Sequence, residues 1–89
     1  MRAVVTVMGI DKPGIIAKVS TCLSECGVNI LDINQTIMQN IFTMVMLVDI
    51  TNSKVDFSAV TSHLEDVGKE MEVQITFQHE DIFNSMHRI

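Results

Sequence analysis

The sequence predicts an α+β domain in which four strands and two helices follow one another in the order βαββαβ. Short stretches of β-forming, apolar residues alternate with stretches whose apolar residues recur at helical spacing. Glycine, proline and asparagine stand where these stretches meet, as is typical of turns. The chain has 89 residues, of which 47% are hydrophobic, so one domain with its own core is expected.

The first half of the chain predicts a strand, a helix and a second strand. Residues 2–8 are rich in β-branched residues, and residues 13–26 carry apolar side chains at helical spacing. Pro13 suits the first turn of this helix, and Gly27 suits the cap at its end. Residues 29–38 predict a strand with an apolar face and a polar face. The apolar face consists of Leu31, Ile33 and Ile37, and the polar face of Asp32, Asn34 and Thr36.

The second half predicts a strand, a helix and a fourth strand. Residues 41–50 form a strand that is apolar on both faces. Asp56 is a candidate N-cap for the second helix, which is expected to end at Gly68. Residues 71–78 predict the fourth strand, with alternate residues pointing inward. The expected inward set is Phe57, Val60, Leu64 and Val67 from the helix, and Val73, Ile75 and Phe77 from the strand.

Two crossovers and one hairpin arrange these elements as a ferredoxin-like sandwich, an antiparallel sheet of order 4-1-3-2 with both helices on one face. Residues 1–79 form the predicted domain, and residues 80–89 a short amphipathic helical tail. Strands one and three are apolar on both faces, which suits the two central places. The face without helices therefore needs a cover, from the tail or from a second copy. The pattern is compatible with edge-to-edge and with face-to-face pairing of two sheets, and it favours the second. It is also compatible with an assembly of two or of four chains.

The composition excludes several classes of protein. The net charge is −5 and the six basic residues are scattered, which argues against nucleic acid and anionic membranes as partners. Tryptophan and tyrosine are absent, so base-stacking platforms are scarce. The apolar runs are too short to span a membrane, and no signal-peptide pattern is present. A cytoplasmic protein is expected.

Cysteine and histidine give weak indications of chemistry. Cys22 and Cys26 are four residues apart in the predicted helix and are expected in the core, with a redox, metal or disulfide role as the alternatives. His63 is expected at the surface, and a metal site between His79 and His87 is an alternative to two surface histidines. No nucleophile stands beside a matched base, and the loop after the first strand lacks the arginine that an acylphosphatase-like enzyme needs. We therefore expect neither an enzyme nor a bound cofactor.

The stretch GIDKPGIIAKVS, which connects the first strand to the first helix, has the chemistry of an anion site. Backbone N–H groups at a helix start, helped by the helix dipole, favour a carboxylate. A plain turn is the alternative. A phosphate-binding P-loop is excluded, because Ile15 and Ile16 stand where lysine and serine or threonine are required.

This stretch also resembles a known family. The run Val7–Val19, together with Leu23 and the Gly27-Val28-Asn29-Ile30 sequence, resembles the ACT domain over residues 2–78. The tail further resembles a group of short, stand-alone ACT proteins. The resemblance implies a ferredoxin-like regulatory module that pairs and binds an amino acid or a similar effector at the pairing interface. The 89 residues include no enzyme or DNA-binding segment, so its output is expected through a separate enzyme or regulator, with the ligand itself or no recognisable output as the alternatives.

The resemblance also implies the ligand contacts, in the loop after strand one and at the start of strand two. Asp11 is expected to hold an ammonium group, the amides near Gly14 and Ile15 a carboxylate, and Asn29 to donate and accept hydrogen bonds. The alternative is a dimeric protein–protein interaction module without a ligand. The full candidate set is Gly9, Ile10, Asp11, Lys12, Pro13, Gly14 and Ile15 with Val28, Asn29 and Ile30.

Overall fold

The computed structural model describes residues 1–86, and their element order confirms the predicted βαββαβ sequence followed by a short helix. The sheet order is β2-β3-β1-β4, which is the predicted 4-1-3-2 order read from the other edge. The elements are β1 (Arg2–Ile10), α1 (Ile15–Glu25), β2 (Asn29–Met38), β3 (Ile41–Asp49), α2 (Phe57–Met71), β4 (Val73–His79) and α3 (Glu80–Met86).

The core lies between the sheet and the two long helices. β1 pairs antiparallel with β3 and with β4, so that Val5 lies opposite both Met46 and Phe77. Side chains across a strand pair share a face, and this face is buried under the helices. The helices and β4 contribute the predicted stripes. The fully buried large side chains are Ile15, Leu23, Met44, Met46, Leu64, Val5, Val7, Val19, Val48 and Val60.

The end of α1 has the predicted cap. The N–H of Gly27 donates to the carbonyl oxygen of Ser24 at 3.0 Å, and the N–H of Val28 donates to that of Leu23 at 2.9 Å. These two bonds form a Schellman motif, which satisfies carbonyls that the helix leaves unpaired. The side chain of Val28 is buried, so the cap also directs the chain into β2.

Three predicted boundaries are wrong, two of them for a tertiary reason. β1 continues through Gly9 to Ile10, because both residues pair with β3. Pro13 precedes the helix, and Gly14 takes the N-cap position. α2 does not end at Gly68 but continues to Met71, since this glycine meets β4: a β-carbon there would lie 2.8 Å from the carbonyl oxygen of Val73.

β2 is an exposed edge strand. Its pairing with β3 contains a bulge between Ile30 and Asp32, so Leu31 has no partner in the register, contrary to the predicted three-residue apolar face. Ile33 and Ile37 lie opposite Met46 and Phe42 and so share the face of the core, but both remain exposed. α2 packs on β4 and α1, near the edge of the sheet opposite β2.

α3 lies on the sheet face opposite the long helices, which we call the far face. Its contacts are with β1 and β4. Arg2 and Glu80 form an ion pair at 2.6 Å, and the amide of Gln78 contacts the sulfur of Met86 at 3.1 Å. The remainder of the predicted tail helix, residues 87–89, falls outside the described residues. None of the helices within residues 1–86 is long and apolar enough to cross a membrane.

Candidate functional site

The loop between β1 and α1 is held at three points. The N–H of Asp11 donates to the carbonyl oxygen of Asn40 at 2.8 Å, which ties the loop to the β2–β3 turn. The Nζ of Lys12 lies 3.8 Å from the Oε1 of Glu72, at the end of α2. The side chain of Ile15 is buried in the core. Asp11 and Pro13 lie exposed between these contacts.

The loop ends at a helix start whose backbone N–H groups are available. Gly14 has a φ of 92°, a left-handed conformation that a residue with a side chain rarely adopts. No side-chain hydrogen bond caps α1 within the described residues, and the N–H of Lys18 is the first to bond backward, to Gly14, at 2.9 Å. The amides of Ile15, Ile16 and Ala17 precede that bond and have no partner within the helix. Together with the helix dipole they form a site suited to a carboxylate.

The second predicted segment is at the other end of the sheet. β1 and β2 both run antiparallel to β3, so they run parallel to each other. Asn29 lies opposite Asp49 at one end of β3, whereas Ile10 lies opposite Ile41 at the other end. Within one chain, the structure therefore does not bring the loop and Asn29 together. Val28 is buried, Ile30 packs against the core, and Asn29 is exposed.

A groove between α1 and α2 lies elsewhere. This groove has a volume of about 640 Å³ and touches the predicted site only at Gly14. The Nζ of Lys18 and the Oε2 of Glu70 bridge it at 2.7 Å, and this hydrogen bond raises the pKa of Lys18. Cys22 and Cys26 line its wall as free, buried thiols.

The two cysteines are core residues, as predicted. Burial, with smaller effects of Cys26 and nearby carboxylates, raises the pKa of the Cys22 thiol to about 11. A neutral thiol is a poor nucleophile and a poor metal ligand. Within residues 1–86, no group of three histidine, cysteine, aspartate or glutamate side chains is placed to hold a metal ion. The imidazole of His79 stacks on the ring of Phe57 at 4.2 Å, while His87 lies outside the described residues.

Two contacts of the site were not predictable from local sequence. Asn40 and Glu72 hold the loop from 29 and 60 positions along the chain, by a backbone carbonyl and by a carboxylate. The composition of a turn does not indicate which distant loop it will contact. Both contacts depend on the sheet order, which places the β2–β3 turn and the start of β4 beside the end of β1.

The sequence and the fold match known proteins. A sequence model of the ACT domain matches residues 2–78. A UPF0237 protein of Methanocaldococcus jannaschii is 57% identical over 88 residues, which are 99% of this chain and 98% of that protein. The structure of an ACT domain protein from Streptococcus pneumoniae has a TM-score of 0.80, with 41% identity over 93% of each chain.

A longer protein contains the same arrangement. The regulatory subunit of aspartate kinase from Thermus thermophilus, in its ligand-free form, is 28% identical with a TM-score of 0.68. The similarity covers 86% of this chain and 50% of that one. From the family match over residues 2–78, and from the close relatives of the same length, we conclude that the chain belongs to the ACT domain family.

Proposed function

We propose that this chain is a regulatory module that binds a free amino acid or a similar small effector, in a site shared between two copies. ACT domains are regulatory small-ligand modules, and one structural relative is the regulatory subunit of a kinase. The proposed ligand residues are the β1–α1 loop, from Gly9 to Ile15, and the start of β2, from Val28 to Ile30.

The loop has groups for both charges of an amino acid. The unbonded amides of the first turn of α1 suit its carboxylate. The exposed carboxylate of Asp11, a few residues earlier, suits its ammonium group. Gly14 has no side chain to keep a ligand away from these amides.

The exposed β2 edge supports a site built from two copies. β2 is an edge strand of ten residues, so its backbone groups that point away from β3 are a template for another strand, except the N–H of Ile33, which donates to the carboxylate of Asp32 at 2.9 Å. If two copies pair through β2 about a two-fold axis, the strands run antiparallel, and the Asn29 end of one lies beside the Met38 end of the other. The hydrogen bond from Asp11 to Asn40 holds the loop next to that Met38 end. The loop of one copy and Asn29 of the second copy then share one end of the combined sheet.

The observation that carries the proposal is that the loop and Asn29 lie at opposite ends of the sheet in a single chain. In a two-fold pair formed through the β2 edge, the strands of the two copies run in opposite directions, so opposite ends of the two sheets lie side by side. Each dimer would then contain two equivalent sites, and a monomer would contain only half-sites.

Titration calorimetry with each of the twenty amino acids tests for a ligand. We expect heat with one or a few of them, with one ligand bound per chain. Asp11→Ala and Asn29→Ala should each weaken binding about tenfold or more, as loss of a hydrogen bond to a charged group costs roughly 1.5–3 kcal/mol. His63→Ala, on the exposed side of α2, serves as the matched control and should bind as the unchanged protein does.

Mixing the two weakened variants separates a shared site from a site within one chain. After unfolding and refolding together, half of the dimers contain one chain of each variant. In such a dimer one site has both Asp11 and Asn29, and the other has neither. A shared site therefore recovers about a quarter of the full-affinity sites, whereas a site within one chain recovers none. Absence of any heat with all twenty amino acids would contradict the proposed ligand class.

The second candidate function is a dimeric interaction module without a small ligand, acting on an enzyme or regulator. The exposure of apolar side chains along β2, such as Ile33 and Ile37, favours this candidate. It predicts edge pairing that Ile33→Lys abolishes, with no response to any amino acid. Calorimetric titration with the amino acids distinguishes the two candidates, because only the first predicts heat of binding.

A further inference from the structure

β4 forms the second edge of the sheet, and within residues 1–86 no strand pairs with its outer side. Its strand partner is β1. α3 contacts both β1 and β4, so it lies over the far face and not beside the edge. In the same part of the chain, no hydrogen bond from a side chain or a loop reaches the backbone of Val73–His79. The outer backbone groups of β4 are therefore available to a further strand.

β4 also lacks the features that usually keep an edge strand from pairing. Its sequence, VQITFQH, contains no proline and no lysine, arginine, aspartate or glutamate. Its pairing with β1 continues without a bulge, from Val73 opposite Gly9 to His79 opposite Ala3. Proline, charged side chains and bulges are the common means of protecting an edge. A regular edge without them is suited to an extended peptide that adds a strand to the sheet.

A groove, which we call the β4-edge groove, follows the same edge. It has a volume of about 470 Å³ and lies between β4 and one face of α2. Successive side chains of a strand point to opposite faces of the sheet, so Val73 and Ile75 share the core face while Gln74 points to the far face. All three line the groove, which therefore runs along the edge itself and not over one face. Its α2 side consists of Glu65, Gly68, Lys69 and Glu72.

The strand side of the β4-edge groove is apolar and incompletely covered. Val73 and Ile75 pack against the core but are only half-buried, whereas Phe77 on the same face is buried. A strand added beside β4 would place every second side chain on this face, next to these two residues. The groove therefore suits an extended segment with apolar residues at alternate positions.

The helix side of the groove favours a positively charged partner. Glu65 has no ion pair within the described residues, and the side chain of Glu72 is 85% exposed although Lys12 lies 3.8 Å away. Lys69 is the one cation that lines the groove in that part of the chain. The chain as a whole has a net charge of −5. Both the local carboxylates and the overall field therefore favour a basic segment.

The same charges disfavour a second copy at this edge. Two β4 strands that pair about a two-fold axis run antiparallel, so the start of one lies beside the end of the other. Glu72 immediately precedes β4, and Asp81 follows shortly after its end, in α3. Such a pair would bring these exposed carboxylates together at both ends, and like charges across a strand pair are destabilising. The charge pattern therefore indicates a different protein as the occupant.

We propose that the β4-edge groove binds an extended, basic segment of a separate protein. The segment adds a fifth strand to the sheet, and its apolar side chains cover Val73 and Ile75. Its lysine or arginine side chains lie near Glu65 and Glu72. This surface shares no residue with the β1–α1 loop or with the β2 edge, and it depends neither on a bound amino acid nor on pairing of two copies.

Nuclear magnetic resonance of the full, isotope-labelled chain tests the proposal with a synthetic peptide. The probe is KTVTVTK, acetylated and amidated, in which the two lysines and the two valines share one face of the extended chain. We expect it to shift the backbone amide signals of Val73–His79 and of the α2 residues that line the groove, and to leave those of β2 unchanged. The control peptides ETVTVTE and KVTTVTK reverse the charge and break the alternation, and each should bind about tenfold more weakly.

A charge reversal in the protein locates the contact. Glu65→Lys should weaken binding of KTVTVTK about fivefold or more, because it removes an attraction and adds a repulsion. Glu25→Lys makes the same change at an exposed residue of α1 outside this groove, and it should alter binding less than about twofold. Circular dichroism establishes that each variant is folded, and the comparison of peptides on the unchanged protein decides the question if Glu65→Lys does not fold.

Four results would each overturn the proposal: no shifts at β4, shifts at β2 in place of β4, equal binding of the three peptides, or equal effects of Glu65→Lys and Glu25→Lys. Hydrogen exchange supplies a further test in the free protein. Slow exchange of the outer β4 amides that becomes fast on dilution would also overturn it, because a second copy would then already cover the edge.

Discussion

Gly9 lies so close to Val73 on the neighbouring strand that a β-carbon on the glycine would be 2.7 Å from the Cγ1 of Val73 and 3.1 Å from its Cα. The contact involves the backbone of β4, so a flexible side chain cannot simply move away. The glycine at the end of β1 is thus required by the approach of β4. The sequence suggested that this glycine serves a turn, but Gly9 lies within β1.

We therefore expect Gly9→Ala to lower the free energy of unfolding by about 1–3 kcal/mol, the usual cost of overpacking a core. Urea denaturation measures this difference. Gln74→Ala, beside Val73 but exposed, is the control and should change stability by no more than about 0.5 kcal/mol. Equal stability of Gly9→Ala and the unchanged protein would mean that β4 can move away from β1 at no cost.

The β2–β3 turn offers a stabilising substitution. Gln39 has a φ of 58°, which costs a residue with a side chain roughly 1–2 kcal/mol. Gln39→Gly removes this strain but increases the freedom of the unfolded chain, so we expect a net gain of about 0.5–1 kcal/mol. The thermal midpoint should rise accordingly. Asn40→Gly is the control, because φ is not positive at this next position. This substitution should lower the thermal midpoint.

The sequence predicted most of the fold because its signals are local. Alternation in strands and helical spacing in α1 and α2 depend on neighbouring residues, and each pattern also states which face is buried. The Gly27–Val28 cap was predictable for the same reason, since the Schellman motif is formed by consecutive residues. The sheet order followed because only strands one and three lacked a polar face.

The errors and the open questions arise where distant residues meet. Gly68 resembles a helix end in the sequence, and only the contact with Val73 explains why the helix continues. The loop and Asn29 were expected in one site at the pairing interface, and the parallel course of β1 and β2 places them at opposite ends of the sheet within a chain. No periodicity in a sequence shows at which end of a sheet two segments will lie. The same separation is the reason for proposing a site between two chains.

The buried thiols should be slow to react in the folded protein. The pKa of Cys22 is about 11, so its thiolate fraction at neutral pH is far below that of an ordinary cysteine. We expect a thiol reagent at pH 7.5 to modify both cysteines at least tenfold more slowly in the native protein than in urea. A rapid native reaction would contradict their place in the core.

The raised pKa of Cys22 also makes the stability depend on alkaline pH. Because the folded pKa of this thiol is raised, the associated stability is present below the unfolded pKa and is lost as pH rises from about 9 to about 11.

Asp49 should make the stability depend on acid pH. Hydrogen bonds from the side chain and the backbone of Thr51 lower the pKa of this carboxyl, and the N-terminal amine, 3.6 Å away, adds to the effect. A lowered folded pKa means that the carboxylate stabilises the protein above its unfolded pKa. This contribution is lost as pH falls through the folded pKa.

Asp49→Asn should therefore lower the thermal midpoint at pH 7, and the difference from the unchanged protein should shrink below about pH 4. The effect is small, because the carboxyl is exposed and solvent screens its charge. Glu65→Gln removes an exposed carboxylate on α2 and serves as the control. It should change the thermal midpoint little at either pH. Thermal melts between pH 2.5 and pH 7 measure both variants. A constant difference across this range would mean that the Thr51 N–H bonds the asparagine oxygen as well as it bonds the carboxylate, and that charge contributes nothing at this end of the sheet.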